Sequence, residues 1–258
     1  MTALAEMEQA REMGILVPQQ KPVALPLRVA LLTCFDDKYA PLAEVSLPNF
    51  ERYCKRHGYQ LVQGYYHTDP SELKTYGDRG KIDFFNQLYD AHDIVMFLDI
   101  DALIMNQAIR IEEQLHGLPF IWTYDVNGPC SGFWIARCTQ DVYMTLNTVR
   151  NRAPQEGNVR PVYDPGPPAK TTLEMEPFGQ SDQKTMVKMM NEPPYDRILR
   201  NCFPGNDLGH CYPREVMKWP EHFPNLNDYT PGDWLVTFPS VPLDERLRLM
   251  KEYECASV

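Results

Sequence analysis

Residues 93–106 read DIVMFLDIDALIMN. An unbroken apolar run from Ile94 to Leu98 is interrupted by Asp99 and Asp101, and the apolar pattern then resumes from Ala102 to Met105. A run this apolar belongs in the middle of a parallel sheet covered on both faces. Ionised carboxylates placed there are costly unless they are paired or bound to a cation. Side chains alternate along an extended strand, so Asp99 and Asp101 point the same way. Two carboxylates aimed together at the end of a strand form a seat for a divalent cation with oxygen ligands. The stretch thus predicts a buried central strand and, at its end, the metal site of a nucleotide-handling enzyme.

The elements on either side support an α/β reading. RVALLTCF (28–35), followed by Asp36-Asp37, has the pattern of a first central strand. Leu42, Val45, Phe50 and Tyr53 then recur at helical spacing, Lys55, Arg56 and His57 load the last turn, and Gly58 supplies the stop. Tyr59 to Tyr66 reads as the second strand, and residues 79–92, with Ile82, Phe85, Leu88 and Tyr89 on one face, as the helix leading into the acidic strand. Strand, helix, strand, helix, strand is the signature of a parallel sheet with right-handed crossovers. Further on, the pattern predicts helices over 109–116, 140–152, 182–191 and 243–253, and strands over 119–124, 132–136 and 232–238. Residues 153–170 carry five prolines and are expected to form a loop or lid rather than a regular element. Residues 1–26 read as an N-terminal arm and 27–258 as a single domain.

Composition limits the partners. A net charge of −10 argues against a nucleic-acid groove, which needs a basic face. An anionic ligand would therefore need a metal or a few local cations. Seven cysteines, an odd number with no C-x-x-C pair, suggest neither a disulfide framework nor a zinc ribbon. Reduced thiols fit a cytoplasmic setting. No signal-peptide core and no run of eighteen apolar residues is present, so a soluble chain without a transmembrane segment is expected.

Several chemistries are set aside. Gly80-Lys81 is not a phosphate loop, because Thr75 and Ile82 stand where Gly and a magnesium-binding Ser or Thr are required. G-x-G-x-x-G, H-E-x-x-H and G-x-S-x-G are absent. His57 and His92 fall where helix ends are expected, in a charge-capping role. His210, beside Cys211, is a further candidate metal ligand. A phosphatase of the haloacid dehalogenase type also places two aspartates after an apolar strand, but it needs Thr or Ser where Leu103 stands.

FLDIDALIMN resembles the Asp-x-Asp core of the GT-A glycosyltransferases, and more specifically of the galactosyl/mannosyltransferase family (glycosyltransferase family 34). Asn49 to Tyr59 is similar to that family's Asn-x-x-x-Tyr-x-x-x-His-Gly-Tyr signature. Ser131 to Arg137 resembles its Asn-x-Gly-x-Phe-x-x-Arg segment, Asp182-Gln183 its acidic-Gln pair, and Gly232 to Phe238 its closing Gly-Asp-x-x-x-His-Phe motif. Thr237 stands where the family has the histidine that completes its metal site.

The resemblance implies an α/β fold of the GT-A, nucleotide-diphospho-sugar transferase type: a Rossmann-like, mostly parallel central sheet flanked by helices. It also implies a metal-dependent transfer of sugar from a UDP- or GDP-sugar to a carbohydrate or glycoconjugate hydroxyl, with retention of anomeric configuration. Under it Asp99 and Asp101 hold Mn2+ or Mg2+; with Thr237 in the histidine's place, either another group such as His210 completes the shell, or water does, or the metal is weakly held. Thr33, Phe35, Asp37, Lys81, Ser131 and Gly132 contact the donor. Gln183 lines the face opposite the leaving group, and Asp182 orients sugar hydroxyls; a helix-start Asp that merely caps is the plainer account of the latter. A nucleotide-sugar-binding protein without turnover shares most of these features.

Overall fold

A computed structural model of the chain describes residues 26–66, 73–125, 128–153, 159–164, 170–175, 182–213, 228–239 and 241–256. The expected N-terminal arm lies almost wholly outside the described residues. In chain order the elements are β1 (Val29–Asp36), α1 (Ala40–His57), β2 (Gln60–Tyr66), α2 (Leu73–Leu88), β3 (Ile94–Leu98), β4 (Ala102–Ile104), α3 (Ile111–Gln114), β5 (Phe120–Asp125) and β6 (Gly128–Arg137). They continue with α4 (Gln140–Arg152), β7 (Val159–Asp164), β8 (Lys170–Met175), α5 (Asp182–Met189), α6 (Asp196–Leu199), β9 (Cys202–Pro204), β10 (His210–Cys211), β11 (Leu235–Thr237) and α7 (Leu243–Glu254).

The central sheet has the order β2-β1-β3-β6-β5-β9. Five strands run one way and β6 runs against them, since it pairs antiparallel with both β3 and β5 while the remaining pairs are parallel. The reversal has a local cause: β5 and β6 are separated by only two residues, and a connection that short can only join antiparallel strands. Alternation along each strand divides the core. Val29, Leu31, Ile94, Met96 and Leu98 face one layer, which α1 covers with Phe50, Tyr53 and Cys54. Ala30, Leu32, Val95, Phe97 and Trp134 face the other, covered by Ile82 and Phe85 of α2, Val142, Leu146 and Val149 of α4, and Met186 of α5. Burial on both faces is why β1 and β3 are near-continuous apolar runs.

A second sheet, β10-β11-β4, brings the C-terminal part of the chain to the acidic stretch. β11 pairs antiparallel with β4, Thr237 opposite Ala102. Leu42 and Val45 of α1, Leu103, Val236 and Phe238 then pack with Leu249 and Met250 of α7. The last helix is thereby fixed beside the acidic pair.

Two helix ends, those of α1 at Gly58 and of α2 at His92, follow the expected chemistry, whereas His57 places Nε2 2.8 Å from Gln107 O, outside its own helix. Gly58 ends α1 at φ 73°, a left-handed conformation suited to glycine, with its N–H donated to Cys54 O. His92 places Nδ1 3.2 Å from Leu88 O, at the carbonyl end of α2. Two expectations are corrected. The helix leading into the acidic strand spans Leu73–Leu88 rather than 79–92, so Lys81 lies in its middle rather than in its first turn. Within 153–170, residues Val159–Asp164 form a strand that pairs with Lys170–Met175, Pro161 opposite Leu173; in a two-stranded ribbon each strand has a free edge, which accommodates the missing N–H of a proline.

Candidate functional site

The acidic stretch is a braced turn. β3 stops at Leu98, and Asp99, Ile100 and Asp101 link it to β4. Ile100 turns into the core, 5 % exposed, which leaves the two aspartates facing a common cavity. Ser46 on α1 donates to Ile100 O at 2.6 Å and to Ala102 O at 3.0 Å. Asn49, one turn on, accepts from Ile104 N at 2.8 Å and donates to Ile104 O at 3.1 Å. Asp99 N donates to Gly132 O, and Phe238 N donates to Asp101 O, both at 2.9 Å. Backbone groups on both sides of the turn are thus satisfied by protein partners, as buried polar groups must be.

Gly132 is required by the fit of Asp99. A Cβ at this position would stand 2.5 Å from Asp99 Oδ2, closer than any non-bonded carbon and oxygen sit. The carboxylate lies directly over the glycine, and any larger residue displaces it.

The cavity has a volume of about 340 Å³, within the range of small-molecule sites. Phe35 and Asp36 at the end of β1, the acidic turn after β3, and Ser131 and Gly132 of β6 line it together with Lys81, Asp182, Gln183 and Arg246. The crevice opens where parallel strands end, the usual place for ligands in open α/β sheets. Lys81 reaches it from α2, its Nζ donating to Ser131 O and Ser131 Oγ, both at 3.2 Å. The same Nζ forms an ion pair with Asp182 Oδ2 at 3.0 Å, with side-chain exposures of only 9 % and 3 %, and lies 4.9 Å above the Phe97 ring. Gln183, next on α5, accepts from Ser131 N at 3.4 Å.

Arg246 of α7 completes the site. Its Nη1 donates to Asp101 Oδ2 at 2.7 Å, with exposures of 11 % and 17 %. Burial raises the affinity of both aspartates for a proton. For Asp99 the Lys81 and Arg246 charges oppose that rise and Asp182 adds to it. Asp101 is pushed up to about 7 by burial and by Asp99, against the pull of Arg246.

Among the described residues, four aspartates against one lysine and one arginine give the cavity lining a formal charge of −2. Such a lining repels a phosphate ligand unless a further cation enters with it. The donor set suits a hard cation such as Mg2+ or Mn2+, which takes one or two carboxylates and completes its shell with phosphate oxygens and water. Among the described residues no third His, Cys, Asp or Glu joins the pair.

The remaining expectations divide. Phe35, Lys81, Ser131, Gly132, Asp182 and Gln183 come together with Asp99 and Asp101 around one cavity. Thr33 does not reach it: wholly buried within β1, its Oγ1 has no partner. Asp37 is exposed and accepts from Tyr65 OH; it is Asp36 that faces the cavity. His210 also lies elsewhere, 1 % exposed, stacked on Phe133 at 5.4 Å with Nδ1 3.1 Å from Thr123 Oγ1. Burial lowers it to about 4, as expected of a core imidazole. β10, which carries it, pairs with the far side of β11 from the acidic turn. Thr237 is buried and supplies no ligand from the family position.

Arg246, Ser46 and Asn49 had no assigned role in the sequence reading. A signal existed for each. Ser46 and Asn49 lie on the buried stripe of α1 between Leu42 and Tyr53, and Arg246 stands three and four residues before the buried Leu249 and Met250. Polar residues on an apolar helical face need a partner inside.

No family model and no curated protein sequence matches the chain. Solved structures do. A glycosyltransferase involved in the glycosylation of the major capsid of PBCV-1 superposes with a TM-score of 0.58 at 15 % identity, covering 87 % of this chain and 99 % of that one. The galactosyltransferase LgtC, in complex with donor and acceptor sugar analogs, gives 0.47 at 9 % identity, covering 86 % and 95 %. The chain has the fold of the GT-A-type glycosyltransferases.

Proposed function

We propose that the protein transfers a sugar from a nucleoside diphosphate sugar to a hydroxyl acceptor, with a divalent cation and with retention of configuration. The observation that carries this reading is a single cavity at the strand ends lined by two desolvated carboxylates, two cations and the Asp182-Gln183 pair. The GT-A-type fold agrees with it. A bound cation would supply positive charge at the leaving diphosphate, held by Asp99 and Asp101. Lys81, anchored by Asp182 and Ser131, offers the diphosphate a fixed positive charge that needs no reorganisation.

In the reaction the bond between the anomeric carbon and the diphosphate oxygen breaks, and a bond from that carbon to the acceptor oxygen forms. The acceptor proton passes to the departing diphosphate. An inverting reaction needs a base in line behind the anomeric carbon. Gln183 is an amide and cannot accept that proton, and Asp182 beside it is tied to Lys81. These residue types support retention, with Gln183 lining the face that gains positive charge. Binding is tested by thermal shift with UDP- and GDP-sugars in the presence of manganese, since a ligand specific for the native state raises stability. The reaction is tested by the product anomer, read by NMR from an α-linked donor. An α-linked product is expected; a β-linked product overturns retention, and hydrolysis of simple phosphate esters in place of sugar transfer overturns the reaction class.

A further inference from the structure

The position of Arg246 bears on how a cation enters the site. A guanidinium carries five N–H donors in a rigid fork. Among the described residues, Nη1 donates to Asp101 Oδ2 at 2.7 Å and Nη2 to Val241 O at 3.1 Å, while Nε is buried and meets no acceptor. The group is thus held at the acidic turn by one charged partner, one carbonyl and the face of the Tyr39 ring, 5.8 Å away, with a donor unused. The carboxylate it occupies is one of the two that a divalent cation would need. A cation seated on Asp99 and Asp101 removes the negative charge that holds Arg246 and places a positive charge next to it, so the two compete. Among the described residues, the displaced guanidinium is left in cavity walls whose one other positive group is Lys81, where an incoming phosphate oxygen offers it a charged acceptor.

We propose that Arg246 is a built-in counterion that competes with the divalent cation for Asp101, so that cation and diphosphate bind strongly only together. The coupling half of this inference rests on the reading that the cavity takes a nucleoside diphosphate. Released from Asp101 by the cation, the guanidinium pairs with the diphosphate; without the diphosphate, its return to Asp101 expels the cation. Linkage requires the effect to be reciprocal: each ligand tightens the other by the same factor. In this scheme Arg246 acts on the cation through Asp101 and on the diphosphate directly.

The test is titration of the full chain with Mn2+ alone, followed by electron paramagnetic resonance, for the wild type and Arg246→Met. The titration is repeated at saturating UDP, GDP and inorganic pyrophosphate. Loss of a charge-assisted hydrogen bond from the competitor is expected to tighten Mn2+ alone by about tenfold to a hundredfold. The factor by which the diphosphates tighten Mn2+ is expected to shrink correspondingly. A purely structural arginine would weaken both, so Mn2+ affinity that is unchanged or weaker in Arg246→Met, or absent from both proteins, overturns the proposal. Unchanged coupling overturns it as well. Arg246→Gln, which keeps a donor without the charge, gives the same signs and serves where the Met variant fails to fold. If Mn2+ tightens and pyrophosphate coupling shrinks while neither UDP nor GDP binds, the competition stands and the nucleotide-sugar reading falls.

Discussion

Lys81→Met separates a working buried lysine from an ordinary helical one. The methionine keeps most of the aliphatic stem, while the ammonium and its contacts with Ser131, Asp182 and the Phe97 ring are removed. Asp182 is then left as a carboxylate with 3 % of its side chain exposed and no opposite charge. Breaking a buried pair from one side costs about 3–5 kcal/mol, which for a domain of this size lowers Tm by about 10 °C. Urea denaturation gives the number directly, as a fall in midpoint at unchanged slope. Adding Asp182→Asn to Lys81→Met is expected to recover part of the loss, because the unpaired charge disappears; the difference is the coupling energy of the pair. The same variant is expected to weaken nucleoside diphosphate binding by about 1.5–3 kcal/mol, the range for a hydrogen bond to a charged group. Stability within about 1 kcal/mol of wild type, a change of the size seen for exposed ion pairs, would refute the account of Lys81 as a buried, ion-paired cation.

Asp99→Asn and Asp101→Asn are each expected to leave the fold intact and to abolish the metal-dependent part of nucleoside diphosphate affinity; equal affinity of the wild type with and without chelator would remove the acidic pair from that role. The upward shift of Asp101 to about 7 sets a pH dependence: the folded state holds a proton that the unfolded state has released, so its stabilisation is full below the unfolded value near 4 and is lost as pH rises through 7. The wild type is therefore expected to lose about 2–4 kcal/mol relative to Asp101→Asn between pH 5 and pH 8, and a gap in Tm independent of pH contradicts this. Gly132→Ala forces Asp99 from its place and is expected to weaken Mn2+ binding more than tenfold, about 1.4 kcal/mol, with little change in far-UV circular dichroism; wild-type Mn2+ affinity would show the carboxylate free to move. Gln183→Ala is expected to lower kcat with nucleotide affinity nearly intact, since its contact strengthens only as charge develops at the anomeric carbon; a rise in KM alone assigns it to ground-state binding.

The sequence by itself determined the α/β layering and the presence of the acidic site. β1 and β3 are buried on both faces, so their residues are near-continuously apolar, and the aspartates that follow β3 stand out at once. Helix α1 is equally legible, because its apolar stripe, basic last turn and Gly58 are local signals. The reversed β6 was not legible as such, because the apolar pattern places its start at Gly132 rather than Gly128 and so hides the two-residue connection that forces an antiparallel pair.

Only the tertiary structure decided which polar residues share the cavity. His210 and Arg246 are both ionisable residues of the C-terminal half. Pairing of β10 with the outer side of β11 buries His210 against Phe133, while packing of α7 on α1 and β4 carries Arg246 to Asp101. Asp101 and Arg246 are 145 residues apart. Spacing along a chain reports helix and strand periods over one or two turns, whereas a contact across that separation is fixed by sheet order and helix docking.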